Sequence, residues 1–146
     1  MFQVEIVPTH QIQALRQLVL WPHLSVSECI IEPDELESTY QMVVKHQNQV
    51  VCCGTFLKED KANFEACNAY RLRAMGTHPE YRNQGLGKML IEYAMEYLQK
   101  LNVDLIWCDA RIEATGFYQK MGFEKVGDIY DVPLIGPHYL MYIRLS

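Results

Sequence analysis

No apolar run in this 146-residue chain approaches the roughly 18 residues that a membrane-spanning helix needs, so no membrane role is expected. The opening residues, Met-Phe-Gln-Val-Glu-Ile, lack the basic stretch and apolar block of a secretory signal, and the expected location is the cytoplasm. Cysteines are few and unpaired in pattern. Cys29, Cys52, Cys53, Cys67 and Cys108 are odd in number and show no Cys-x-x-Cys spacing, which argues against a disulfide framework and against a zinc site. Cys52 and Cys53 sit in an apolar, strand-like run and read as small core residues rather than nucleophiles. Positive charge is also scarce. Thirteen Lys and Arg against 18 Asp and Glu leave a formal net charge of −5, unsuited to a nucleic-acid partner but compatible with one local anion site. Repeats, low-complexity tracts and linker-like charge blocks are lacking as well.

What is present suits one globular domain over residues 1–146, with 49% hydrophobic and 21% charged residues. Residues 2–7 alternate as a half-buried strand, and Thr9 opens a helical pattern bearing Ile12, Leu15, Leu18 and Val19. Residues 21–38 are irregular, with room for one short helix. Residues 40–45 and 49–57 form a hairpin pattern, 58–67 a polar turn, and 69–77 another strand. From Gly85 the period changes: Leu86, Met89, Leu90, Tyr93, Ala94, Tyr97, Leu98 and Leu101 wind one apolar stripe along a helix of about four turns. Residues 104–108 resemble a buried strand, which makes 69–109 a βαβ crossover with a parallel pair. A short helix over 112–121 ends at Gly122, and strands near 123–126 and 139–145 complete a mixed sheet.

The crossover places "YRNQGLGKML", residues 81–90, at the start of the long helix. A helix N-terminus has up to four backbone N–H groups without internal partners and a partial positive charge, and so binds phosphate. Gly85 and Gly87 remove side chains that would hold an anion off the backbone, and Arg82 can add a forked, charged donor. A P-loop is excluded, because Gly87-Lys88 is followed by Met89 and position 82 is Arg. A dinucleotide fingerprint would need a small residue in place of Leu90, although Asp109 could serve as its ribose-binding acid.

The stretch "LRAMGTHPEYRNQGLGKMLIEYAMEYLQ" and the later "EATGFYQKMGFEKVG" resemble the GNAT superfamily of acetyl-CoA-dependent N-acetyltransferases. The first carries its Arg/Gln-x-x-Gly-x-Gly/Ala signature as Arg82-Asn83-Gln84-Gly85-Leu86-Gly87, and the second its Ala-x-x-x-Tyr-x-x-x-Gly-Phe segment as Ala114, Tyr118, Gly122 and Phe123. Together the two cover residues 70–127 in the order and at the separation the family shows. The resemblance implies an α+β fold: a mixed six- to seven-stranded sheet, its fourth and fifth strands splayed, flanked by about four helices. Acetyl-CoA would be the cosubstrate. Its pantetheine would lie in the gap against the backbone of Met75, Gly76 and Thr77, with Arg82 and the amides of Asn83, Gln84, Gly85, Leu86, Gly87 and Lys88 around the pyrophosphate. Gly76 in mid-strand fits a bulge or a close backbone approach.

The resemblance makes Tyr118 the general acid for the departing CoA thiolate. A phenol with a reference pKa of about 10 is protonated near neutral pH, yet acidic enough for a thiol near 8.5. The acceptor would be a small-molecule or peptide amine, which must lose a proton before it attacks. Glu28, Glu32, Asp128, Asp131 and His138 are candidate bases or acceptor contacts, Glu28 and His138 foremost. Where the family usually has Asn beside the pantetheine this chain has Asp109, which cannot donate while ionised and could instead orient Arg111 or the substrate. Residues 21–38 and 128–138 would build the acceptor pocket, and their acids favour a cationic amine. A homodimer is compatible with the resemblance. The alternative is a non-catalytic acetyl-CoA-binding module of the same fold.

Overall fold

The structure is a computed structural model that describes residues 1–145; Ser146, the last residue of the expected domain, lies outside the described residues. One sheet carries seven strands: β1 (Phe2–Val7), β2 (Tyr40–His46), β3 (Gln49–Lys58), β4 (Ala69–Thr77), β5 (Leu105–Arg111), β6 (Glu124–Val132) and β7 (Gly136–Arg144). Their order is β1-β2-β3-β4-β5-β7-β6, antiparallel throughout except for the parallel β4–β5 pair. The expected mixed sheet and crossover are therefore present. Among the described residues three α-helices form rather than about four: α1 (Gln13–Val19), α2 (Leu86–Lys100) and α3 (Thr115–Lys120), joined by five short 3-10 turns.

Local sequence accounts for most of these elements. Gln47 and Asn48 both have positive φ, the conformation a tight β2–β3 hairpin requires, and Asn adopts it at small cost. In α2, Leu86, Leu90, Ile91, Ala94 and Leu98 are buried on one face. They pack on Met42, Val44 and Leu72 of the sheet, and burying each leucine contributes roughly 1.5–3 kcal/mol. Asn102, in the left-handed region, ends that helix and lets the Val103 N–H reach the Leu98 carbonyl at 3.0 Å. Leu101 and Leu18, read as stripe residues, are half exposed. Each lies at the end of its helix, where the packed face turns away from the sheet.

Where the sheet opens decides the rest. β4 and β5 pair only over three residues, Ala69, Tyr70 and Arg71 against Leu105, Ile106 and Trp107. Beyond them both strands continue, β4 on the edge of β3 and β5 on the edge of β7, and a gap widens between. The β3–β4 ladder holds an extra residue on β4: Cys53 faces Gly76 and Thr55 faces Arg73, so Ala74 and Met75 stand opposite Gly54 alone. Ala74 has φ +52, an uncommon conformation for a residue with a side chain. The bulge thus centres on Ala74 and Met75 rather than on Gly76. Gly76 has a different duty: a Cβ there would come within 2.5 Å of Val19 Cγ2, so its bareness lets α1 lie against the strand.

Candidate active site

Two clefts flank the gap. One, of about 510 Å³, is lined by Met75, Gly76, Thr77, Arg82, Asn83, Gly85, Leu86, Gly87, Lys88 and Phe117 among others. The other, of about 330 Å³, lies on the α1 side under Leu20 and Trp21 and is walled by Arg71, Arg73, Asp109, Arg111 and His138. Met75, Ala114 and Tyr118 line both, which marks where the clefts meet.

The first cleft is built around the start of α2. The first helical bond runs from the Met89 N–H to the Gly85 carbonyl at 3.0 Å, so the N–H groups just ahead of Met89 have no partner within the helix. Among the described residues no acceptor takes the amides of residues 83–88. Asn83 and Gly85 both have positive φ, which curls the chain into the helix. A Cβ at Gly85 would meet open space, whereas one at Gly87 would stand 3.1 Å from Phe117 and 3.2 Å from Met75. The glycines therefore differ: Gly85 supplies the left-handed turn on the open side, and Gly87 lets α2 close on the α3 ring. Leu86 is buried, while Arg82, Gln84 and Lys88 are exposed. Such a place suits an anion with several oxygen atoms.

At the junction, α3 holds Tyr118 with its hydroxyl 3.8 Å from Met75 Sδ, packed against Phe117 and Phe123. Burial above all, and next Cys108, raise this phenol well above its ordinary pKa. The same cause pushes the Cys108 thiol up to about 12, and burial does so for Cys53. Cys52 and Cys53 are fully buried core residues, as expected.

A model of the acetyltransferase (GNAT) domain matches residues 37–125. The chain belongs to the GNAT family. It is 31% identical over 145 residues to the uncharacterized N-acetyltransferase YitI of Bacillus subtilis, spanning 99% of this chain and 97% of that one. Escherichia coli ElaA has the same fold at a TM-score of 0.79 and 18% identity, over 97% of this chain and 99% of its own. An aminoglycoside 6'-N-acetyltransferase complexed with coenzyme A superposes at 0.77 and 14% identity, over 99% and 97%. This GNAT chain is an N-acetyltransferase by family, with the family's mixed sheet, and no helix among its described residues is long and apolar enough to cross a membrane.

Within this GNAT frame the candidate residues divide. Gly76, Thr77, Arg82, Asn83 and Gly85 to Lys88 gather at the larger cleft, Asp109 and His138 at the smaller, and Met75 and Tyr118 line both. His138 is buried in β7, not in a turn; its Nδ1 lies 2.8 Å from the Gly136 carbonyl and its ring stacks on Tyr130. Asp109 departs from expectation. Its carboxylate accepts from Arg71 Nη2 at 2.8 Å and from the Tyr130 hydroxyl, so it ties β5 to β4 near the point where their pairing ends, and it does not pair with Arg111. Glu28 is elsewhere. Its carboxylate accepts from the Ser25 N–H and hydroxyl, both at 2.9 Å, and those two bonds hold its pKa below the ordinary value. The side chain caps a 3-10 turn and does not line the smaller cleft.

The acids expected around the acceptor are likewise spent or outside. Asp34 is buried and holds Arg16 at 2.7 Å and 2.8 Å, while Glu32, Asp128 and Asp131 do not line the cleft. Arg71 and Arg73 escaped the sequence reading. Their signal was there: in the strand "AYRLRA" two arginines two residues apart must share one face of a sheet whose other face is core. Tyr130 had no such signal, since only the β6–β7 register brings it beside His138.

Proposed function

We propose that this chain transfers an acetyl group from acetyl-CoA to the primary amine of an acceptor held in the smaller cleft. The observation that carries the reading is the set of free amides at 83–88, at one end of a gap between β4 and β5, with a protonated tyrosine where the two clefts join.

Bound there, acetyl-CoA supplies an acetyl thioester that the acceptor nitrogen opens, forming a C–N bond as the C–S bond breaks. The amides of Asn83 to Lys88, with Arg82 and Lys88 nearby, hold the diphosphate, and the backbone of Met75, Gly76 and Thr77 lines the pantetheine arm. Tyr118 keeps its proton at neutral pH because burial disfavours the phenolate, and so has one to give at the departing sulfur. His138 deals with the acceptor's proton. A carbonyl can only accept, so Nδ1 donates to Gly136 O, and the lone pair of the neutral ring sits on Nε2. Asp109, bonded to Arg71 and Tyr130, shapes the wall behind that histidine.

Titration calorimetry with CoA, followed by thiol release from acetyl-CoA over a panel of amines, tests this. CoA binding with release on adding an amine is the expected result. An absence of CoA binding, or binding with no release from any amine, overturns it.

A further inference from the structure

We propose that the acceptor carries an anionic group, a carboxylate or a phosphate, close to the amine that is acetylated, and that Arg73 together with Arg111 receives it. The inference rests on the acetyl-transfer reading and specifies the substrate class of that site.

The chain as a whole is acidic, yet this cleft is not. Its charged lining residues are Arg71, Arg73, Arg111 and Asp109, three positive and one negative. Asp109 is matched by Arg71, which also reaches Glu59 Oε1 at 3.4 Å and lies over the Trp107 ring at 4.9 Å. Two arginines remain. Among the described residues neither Arg73 nor Arg111 has a carboxylate within salt-bridge distance.

Arg73 is half-buried, where an uncompensated guanidinium is costly. Burial is the main influence lowering its pKa, and the charge of Arg71 is the next; Glu59 and Asp109 oppose the shift from a distance and Arg16 adds to it. A bound anion would relieve that cost, and a cationic amine with a second ammonium group would add to it. Arg111 faces His138 across the β5–β7 ladder, so an anion held by the two arginines lies beside the histidine that would deprotonate the amine. Guanidinium forks match carboxylate and phosphate oxygens in pairs, which also orients the amine.

Three matched amines decide it: phosphoethanolamine, ethanolamine and ethylenediamine, with γ-aminobutyrate and butylamine as the carboxylate arm. The measurement is kcat/KM for thiol release in wild type, Arg73→Gln and Arg73→Glu, with CoA affinity by calorimetry as the check that each variant is folded. Wild type is expected to favour the anionic member of either arm by about tenfold or more, as a charge-assisted bond of roughly 1.5–3 kcal/mol gives. Arg73→Gln should shrink that ratio, and Arg73→Glu should turn it toward ethylenediamine, with CoA affinity retained. A preference for phosphoethanolamine alone identifies the anion as phosphate; a preference for γ-aminobutyrate as well makes it either oxyanion. Release that favours ethylenediamine in wild type, or an order unmoved by Arg73→Glu, overturns the inference while leaving acetyl transfer standing. No release from any amine overturns both.

Discussion

The two clefts meet at Tyr118 but are built in different ways. The larger one draws its polar surface mainly from one continuous piece of chain: residues 75–88 run from the end of β4 through a turn into α2, and the donors are main-chain amides. The smaller one is assembled from the α1–β2 connection, β4, β5 and the β6–β7 hairpin, and its polar groups are side chains. A backbone site needs only a turn and a missing Cβ, so its specification is local. A side-chain site needs several strands in register, and its charge can differ from that of the segments that supply it.

The largest effect should come from the buried network next to Trp21, which lines the smaller cleft. Arg16 is fully buried, bonded to Asp34, to Thr55 Oγ1 at 2.7 Å and to the Cys29 carbonyl at 3.1 Å, with its guanidinium over Trp21 at 5.7 Å. Asp34→Ala would strand that charge and is expected to cost about 3–5 kcal/mol in denaturant unfolding. A loss under about 1 kcal/mol would mean that the network does not hold this part of the fold. Burial resists ionisation of Asp34, but the bonds from Arg16 and the Ile31 amide outweigh it and hold the carboxyl below its ordinary value. A lowered folded value means the stabilisation is complete above the ordinary carboxylate range, near pH 4, and is lost as pH falls through the lower one. Wild-type stability should therefore gain nothing further from this pair between pH 5 and 8.

At the junction, if the proposed acid role is right, Tyr118→Phe should lower kcat by about 10²-fold or more while CoA affinity stays, because the hydroxyl is not part of the backbone cradle. Equal turnover would remove Tyr118 from the mechanism. With its pKa raised by burial, this acid keeps its proton at every pH below its elevated value. No alkaline fall in kcat attributable to it should appear up to about pH 10 in a pH–rate profile.

Gly85→Val confines its damage to the larger cleft. The φ of +76 suits glycine, and a branched side chain there costs on the order of 1–2 kcal/mol in strain or reshapes the turn. CoA affinity should fall about tenfold or more by calorimetry; unaltered affinity would contradict the cradle. Smallest of all, Glu28→Gln should change kcat/KM for any amine by less than about twofold, as for an exposed residue away from both clefts. A larger change would return Glu28 to the acceptor site.

The degree to which each part could be read in advance follows the same division. β1, the β2–β3 hairpin, β4 and α2 emerged close to their observed bounds, since each is announced by its own periodicity and its own turn residues. β6 and β7 extend further toward each other than their apolar runs suggest, because after an irregularity between Val126 and Tyr130 residues 130–132 resume the ladder through cross-strand partners rather than through hydrophobicity. The partners of Asp109 and Glu28 were not legible for one reason: a carboxylate's surroundings are set by which donor reaches it, Arg71 from 38 residues away in one case and Ser25 from three in the other.

By itself the sequence determined the family, the crossover, and the amide cradle at the start of α2. These depend on glycine placement, helical periodicity and residue spacing, all local properties of the chain. Tertiary structure alone decided that β4 and β5 part after three pairs, that the extra residue falls at Ala74 and Met75, and that three arginines against one acid line the smaller cleft. Those outcomes depend on strand register and on which charges find partners, quantities that no single segment contains.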